Sequence, residues 1–291
     1  MRRRLGSGAT PASSEMTSVG FALAASVLLG AGDGVAALLV RKYSVAGVAI
    51  VTQLAGASTV LLIAALGDID GAAVTYGLAA GVLQGVTVVV YYRALADGMI
   101  TVMAPVLSMS AVVTFALALG RGEEPHPVSV IGASAAILGI VLAAIPEHSL
   151  GGVRRAALGF AAIGAVAQGV YIFVLGVGSA NGYGMSLLLG IRIGGLVTVI
   201  SGVALLVERV HMNFRLAWLG SLYGVISGSA LALLSRAFES GLISLVAVVA
   251  ATTPLVTILF GRIILNESLT RFHVIGLSLA LAGVVLVSVA Q

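Results

Sequence analysis

Cysteine is absent from the 291 residues, and Lys, Arg, Asp and Glu together supply only 9% of them. Without cysteine there is no disulfide framework and no thiolate site. A charged share so far below the roughly 25% of a soluble domain cannot coat a surface that faces water. The four histidines, His126, His148, His211 and His273, fall in separate expected loops, and neither a clustered metal-ligand set nor a GxxxxGK(S/T) phosphate loop occurs. Metal-dependent catalysis and ATP-driven function therefore lack their residues. No catalytic set, cofactor or metal is expected, and the chain does not read as an enzyme.

What is present is apolar. Hydrophobic residues make up 59% of the chain, and they fall in long runs rather than in a two-residue or 3.6-residue alternation, which marks spans of lipid. Hydrocarbon offers nothing to backbone N–H and C=O groups, so each run must satisfy its own, and that requires a helix. The runs cover about 19–40, 46–66, 73–92, 99–120, 128–145, 157–177, 185–207, 216–234, 242–265 and 274–290. Each is near the ~20 residues that cross ~30 Å of hydrocarbon. The first, from Val19 to Val40, is too long for the ~7–15-residue core of a removable signal peptide. The connections are short, so any function must lie between helices.

The chain also repeats itself. At an offset of 143, Gly77, Gly81, Gly85, Arg93, Ala94, Gly98 and Glu124 fall on Gly220, Gly224, Gly228, Arg236, Ala237, Gly241 and Glu267. One residue further, Gly132 and Gly139 meet Gly276 and Gly283, and upstream an offset of 139 sets Gly20-Phe21-Ala22 on Gly159-Phe160-Ala161. The unit is five helices, an odd number, so the second copy enters the membrane from the opposite side. The expected fold is an all-α integral membrane protein of ten transmembrane helices in two inverted five-helix repeats. A tail spans 1–18, the first repeat 19–146 and the second 157–290. The glycine triplets Gly77/Gly81/Gly85 and Gly220/Gly224/Gly228 each line one helix face, where backbones can approach closely.

With these motifs the chain resembles the ten-helix, EamA-type branch of the drug/metabolite transporter superfamily. The residues that carry the resemblance are Arg236-Ala237-Phe238-Glu239-Ser240-Gly241, then Thr253-Pro254-Leu255, then Asn266-Glu267-Ser268-Leu269-Thr270 ahead of Gly276 and Gly283. The first repeat is looser: Ala111 stands opposite Pro254, and Pro105 lies six residues earlier, which predicts a displaced kink. The resemblance implies an active transporter, often an exporter of amino acids or other metabolites.

Two charged residues fall well inside spans, Asp33 and Arg192. A charge at a helix centre costs roughly 2.5–3.5 kcal/mol on the insertion scale, so each is expected to face a partner or a wet cavity. Asp33 shares a face with Ser26 and Gly30, and a carboxylate there could exchange a proton for substrate; it could also pair structurally with an Arg. Arg192 can offer a forked set of donors to a carboxylate or phosphate, which would make it the anchor of an anionic solute, or it could pair with Asp33. The 139 offset sets Arg192 opposite Gln53. Further candidates are Gln84, whose repeat partner is Ser227, and the Gln168/Tyr171 pair. Each supplies hydrogen-bonding groups that serve either a solute or helix packing. Pro105 and Pro254 are expected to kink their helices and free carbonyls. Glu124 and Glu267 read as solvated or as helix-end structure.

These residues support a secondary transporter of a small polar metabolite, an amino acid or other carboxylate among them, in the cytoplasmic (inner) membrane. Export and proton coupling are the expected mode. The alternative is a proton-coupled exporter of cationic drugs, which would rest on Asp33 and which Arg192 opposes if both line one cavity; a non-transporting scaffold is a third reading. Expected partners are the small-molecule substrate, protons and the lipid bilayer, with no nucleic acid, for a monomer or homodimer. Nine basic residues flank one membrane face and five the other, which by the positive-inside rule favours external termini, whereas the family resemblance implies internal ones.

Overall fold

The computed structural model describes residues 11–143, 155–205, 210–266 and 271–289. Along them run α1 (Pro11–Lys42), α2 (Val45–Ala64), α3 (Gly71–Asp97), α4 (Ile100–Ser108), α5 (Ser110–Gly120), α6 (Pro127–Ala143), α7 (Arg155–Ala180), α8 (Gly184–Leu205), α9 (Phe214–Ser240), α10 (Ile243–Ala250), α11 (Thr253–Ile264) and α12 (Arg271–Val289). Eight helical stretches are long and apolar enough to cross a membrane, with α4–α5 and α10–α11 each forming one; α6 and α12 are apolar but shorter. The chain is a multi-pass membrane protein, all-α among the described residues, with these ten apolar helical stretches.

Helix starts and stops follow local chemistry. Asp70 and Asn213, matched at offset 143, each place a side-chain oxygen on the third backbone N–H of the helix that follows, at 2.7 Å from Ala73 and 2.8 Å from Leu216. Those bonds satisfy orphan donors at the N-termini of α3 and α9. Gly98 and Gly241, another matched pair, close the same two helices. Both helices therefore run past Arg93 and Arg236, about five residues beyond the apolar runs. A charge ends the hydrocarbon segment but not the helix. His273, expected in a loop, is instead the third residue of α12 and buried, because the helix begins in polar residues ahead of its apolar run.

The packing survives exchange of the first six helices with the last six. Contact of α3 with α8 matches that of α2 with α9, α1 on α9 matches α3 on α7, and the α6–α12 and α2–α8 pairs lie across the pseudo-twofold from themselves. Glycine sets the distances. A Cβ built on Gly81 would stand 2.6 Å from the Ile191 carbonyl oxygen and 2.7 Å from the Gly194 Cα. One on Gly224 would stand 2.6 Å from the Thr52 carbonyl oxygen, and Gly139 and Gly276 would each collide with the other's backbone at 2.5 Å. Lipid supplies no hydrophobic drive between helices, so the van der Waals contact that these glycines permit is what holds the bundle.

The two interrupted spans break at matched positions, at Met109 and at Ala251–Thr252, offset by 143. Pro105 lies inside α4, and the break falls four residues beyond it, level with the one beside Pro254. Both breaks stay right-handed, with Met109 at φ −62°, ψ −10° and Thr252 at φ −73°, ψ −2°. Pro254 has no N–H to give the Ala250 carbonyl, and the Thr253 hydroxyl donates to that oxygen at 2.8 Å. The Thr252 hydroxyl does the same for Val249 at 2.8 Å.

One cross-repeat clamp comes from a residue adjacent to those singled out. The Glu123 carboxylate accepts from the backbone N–H groups of Ile243 and Ser244, both at 2.9 Å, capping α10 from the α5–α6 loop. Glu124 is exposed, and Glu267 lies outside the described residues.

Two outcomes follow from this packing. Gly81→Leu and Gly224→Leu should each cost more than the roughly 1–3 kcal/mol of ordinary core overpacking and sharply lower folded yield on detergent size exclusion. Gly20→Leu and Gly159→Leu, which meet nothing within 4 Å, should leave it unchanged. Glu123→Ala should remove about 1–2 kcal/mol of capping and lower the melting temperature in detergent, whereas Glu124→Ala should not.

Candidate functional site

A cavity of about 110 Å³ lies inside the bundle. A single water needs ~10–15 Å³ by this kind of measure, so there is room for several waters or a small solute. Its walls come from matched positions of the two halves. Leu29 and Gln168, Asp33 and Ile172, Gln84 and Ser227, and Tyr91 and Leu234 all line it, each pair set by the offset of 139 or 143. Ser110 and Thr253, at the two helix breaks, line it as well. The cavity therefore straddles the pseudo-twofold, where alternating-access transporters hold their solutes.

The chemistry is less symmetric than the scaffold. Asp33 accepts a hydrogen bond from the Tyr91 hydroxyl at 3.2 Å, whereas the matched positions hold Ile172 and Leu234. Both members of the polar pair have apolar counterparts, so neither half is left with an unpaired group. Asp33 is the one charged side chain among the described residues that line the cavity. Its helical neighbours Ser26 and Gly30 do not line it: Ser26 Oγ lies 2.9 Å from Thr252 Oγ1, and Gly30 packs on α11 at Thr253 and Val256. Tyr171 and Gln168 do, and Gln168 Nε2 donates to Ser110 Oγ at 3.3 Å. Tyr92 and Tyr223 bring the lining tyrosines to four, their rings 6.4 Å apart.

Arg192 stands behind this wall. It is 1% exposed and absent from the lining. Its Nη2 donates to Ser227 Oγ at 2.8 Å and its Nη1 to Gln53 Oε1 at 3.3 Å. Gln53 and Gln84 then exchange amide bonds, with Gln53 Nε2 donating at 2.6 Å and Gln84 Nε2 returning at 3.1 Å. No ion pair joins Arg192 to Asp33 among the described residues. The four polar residues read from the sequence as two matched pairs thus form one chain, Gln84–Gln53–Arg192–Ser227. Pro105 and Pro254 do not line the cavity.

Comparison with known proteins bears on the family and the fold. The model of the EamA-like transporter family matches residues 155–289. Over those residues the chain is similar to the EamA-like transporter family. One of 29 matching solved chains, a crystal structure of a protein, superimposes with a TM-score of 0.70 at 16% identity, covering 97% of this chain and all of that one; at such identity the likeness speaks for the fold. No curated protein matches the chain by sequence. The EamA-like half contributes Gln168, Tyr171, Arg192, Ser227 and Pro254 of the residues singled out from sequence.

Sequence reasoning missed several participants, Tyr92 and Tyr223 among them. Tyr91 follows Gln84 by seven residues, two turns along one face of α3, a spacing that would have found it. Gly56 and Gly195 are two more. A Cβ on Gly56 would lie 3.0 Å from Arg192 Nη1, and one on Gly195 would collide with Gln84 Oε1 and lie 2.7 Å from Gln53 Nε2. The recurrence of Gln53-x-x-Gly56 as Arg192-x-x-Gly195 at offset 139 was the available signal.

Proposed function

We propose that the protein is a secondary transporter of the cytoplasmic membrane that exports a small solute bearing a cationic group in exchange for protons. The observation that carries this reading is the isolation of Asp33: a lone carboxyl in a cavity on the pseudo-twofold, with no basic side chain lining the same space. A cation and a proton would compete for that carboxyl. Competition for one site converts an inward proton gradient into outward solute movement when the site crosses only loaded, because each passage inward with a proton is then matched by a passage outward with solute. The tyrosines beside Asp33 add π faces that favour a cation.

Sequence reasoning set the cationic solute second because Arg192 would oppose Asp33 within one cavity. Its position behind Ser227, with Nη1 and Nη2 already engaged, supports moving that reading first. Its Nε has no partner among the described residues, but Arg192 does not line the cavity, so an anionic solute held there would reach the guanidinium only past Ser227.

Reconstituted vesicles with an imposed pH gradient, screened with matched cationic, zwitterionic and anionic solutes, test the proposal. Cationic solutes should move against their gradient in wild type, and Asp33→Asn should abolish the response to pH while leaving folded yield near wild type. Proton flux that persists undiminished in Asp33→Asn, or selective movement of anions, would overturn it.

A further inference from the structure

We propose that Arg192 is a positioning residue that forces the cavity wall at Ser227 and Gln84 to present hydrogen-bond donors, so that this wall selects an acceptor group on the solute. The inference rests on the transport reading above and adds a second recognition element to it.

The argument begins with what Arg192 cannot do. A guanidinium has five N–H donors and no acceptor, so every group it touches must turn a lone pair toward it. Ser227 Oγ therefore accepts from Nη2, and its own proton has to go elsewhere. Ser and Thr hydroxyls in helices commonly return that proton to the carbonyl four residues back, as Thr198 does to Gly194 at 2.8 Å. Ser227 makes no such bond, and it lines the cavity. Its O–H is left to the solute.

The same constraint runs through the amides. Gln53 must turn Oε1 to Arg192, which also takes the bond from Gln84 Nε2. Gln53 Nε2 then faces Gln84 Oε1. That oxygen is also held against Gly195, where a Cβ would overlap it. The group of Gln84 left over is its second Nε2 hydrogen. Neither amide can flip without setting an N–H against the guanidinium or a carbonyl against a carbonyl. A charge that never meets the solute thus fixes the polarity of two groups that line its cavity. Tyr91, which donates to Asp33 Oδ2 at 3.2 Å, lies seven residues from Gln84, about 10 Å along α3 at 1.5 Å per residue. A cationic group at Asp33 and an acceptor several bonds away would span that interval.

Two probes of equal charge and chain length separate the elements: hexyltrimethylammonium, and the methyl ester of 4-trimethylammoniobutanoate, in which an ester replaces two methylenes and its carbonyl supplies the acceptor. Their affinities are measured by calorimetry on purified protein in detergent. Wild type should prefer the ester roughly tenfold, the worth of a hydrogen bond that a buried donor would otherwise lose. Arg192→Met should bring that ratio toward one, and Arg192→Lys should restore part of it. A merely structural Arg192 would weaken both probes alike and leave the ratio intact, which overturns the inference. Should Arg192→Met fail to fold, Ser227→Ala reads the same ratio, and an unchanged preference there overturns it too. Equal binding of both probes by wild type sinks this inference alone. Binding of neither sinks the cationic reading and this inference with it.

Discussion

Where α3 crosses α8, no room exists for a Cβ, and the mirrored crossing of α2 and α9 carries the same restriction. The rest of the structure depends on this closeness. In lipid there is no water to squeeze out between helices, so attraction must come from contacts at van der Waals distance, and those fall away steeply with a gap of even half an ångström. Glycine at Gly77, Gly81 and Gly85, and again at Gly224 and Gly228, brings main chain against main chain, while Gly220 packs on the Val51 side chain. The polar residues then lie close enough to bond across helices: Gln53 of α2 reaches Gln84 of α3 and Arg192 of α8, and Arg192 reaches Ser227 of α9. A bundle spaced by leucines would hold these side chains too far apart, and each would be an unmet polar group in hydrocarbon.

The repeat supplies a symmetric frame, and the departures from symmetry supply the chemistry. Matched positions line both sides of the cavity, yet Asp33 and Tyr91 face Ile172 and Leu234. Substitution in pairs explains how one side could become apolar at little cost: a lone Ile172 opposite a surviving tyrosine at position 234 would have stranded a buried hydroxyl. Arg192 and Gln53 diverge differently. Both remain polar, and one bonds the other across the pseudo-twofold, with Gly56 and Gly195 opening the space for them. A single positive charge at that junction biases the whole chain of hydrogen bonds toward one direction, which two glutamines facing each other would not.

Much of this was legible because lipid punishes ambiguity. All ten spans, the five-helix repeat and its register could be read from runs and spacings, and Gln53, Gln84, Arg192 and Ser227 stood out because polar side chains in hydrocarbon need partners. Which partner each one finds was not legible, since the offset aligns Arg192 with Gln53 but does not say that the two touch. The depth of Arg192 relative to the cavity depends on how α8 is rotated about its axis, and that rotation is set by Gly190 and Gly194 against α3. Glu123 escaped notice because the recurrence at offset 143 singles out Glu124, and a cap is defined by where a distant helix begins. The breaks at Met109 and Thr252 could not be placed from prolines alone, because Pro105 and Pro254 occupy different positions relative to a common break.

Those breaks bear on how solute is held. In transporters whose helices unwind at mid-membrane, the freed carbonyls and N–H groups form the binding site. Here both interruptions remain in the right-handed helical region, and at the second one hydroxyls of Thr252 and Thr253 occupy the carbonyls of Val249 and Ala250. Little main chain is left for a ligand at that break. On the transport reading proposed above, recognition at that break falls to side chains, and the donor or acceptor sense of each polar one that reaches the cavity matters individually. Ser and Gln can present either sense, and they become selective only when something behind the wall fixes it. A buried guanidinium, unable to accept and unable to lose its proton, is the side chain best suited to fix it.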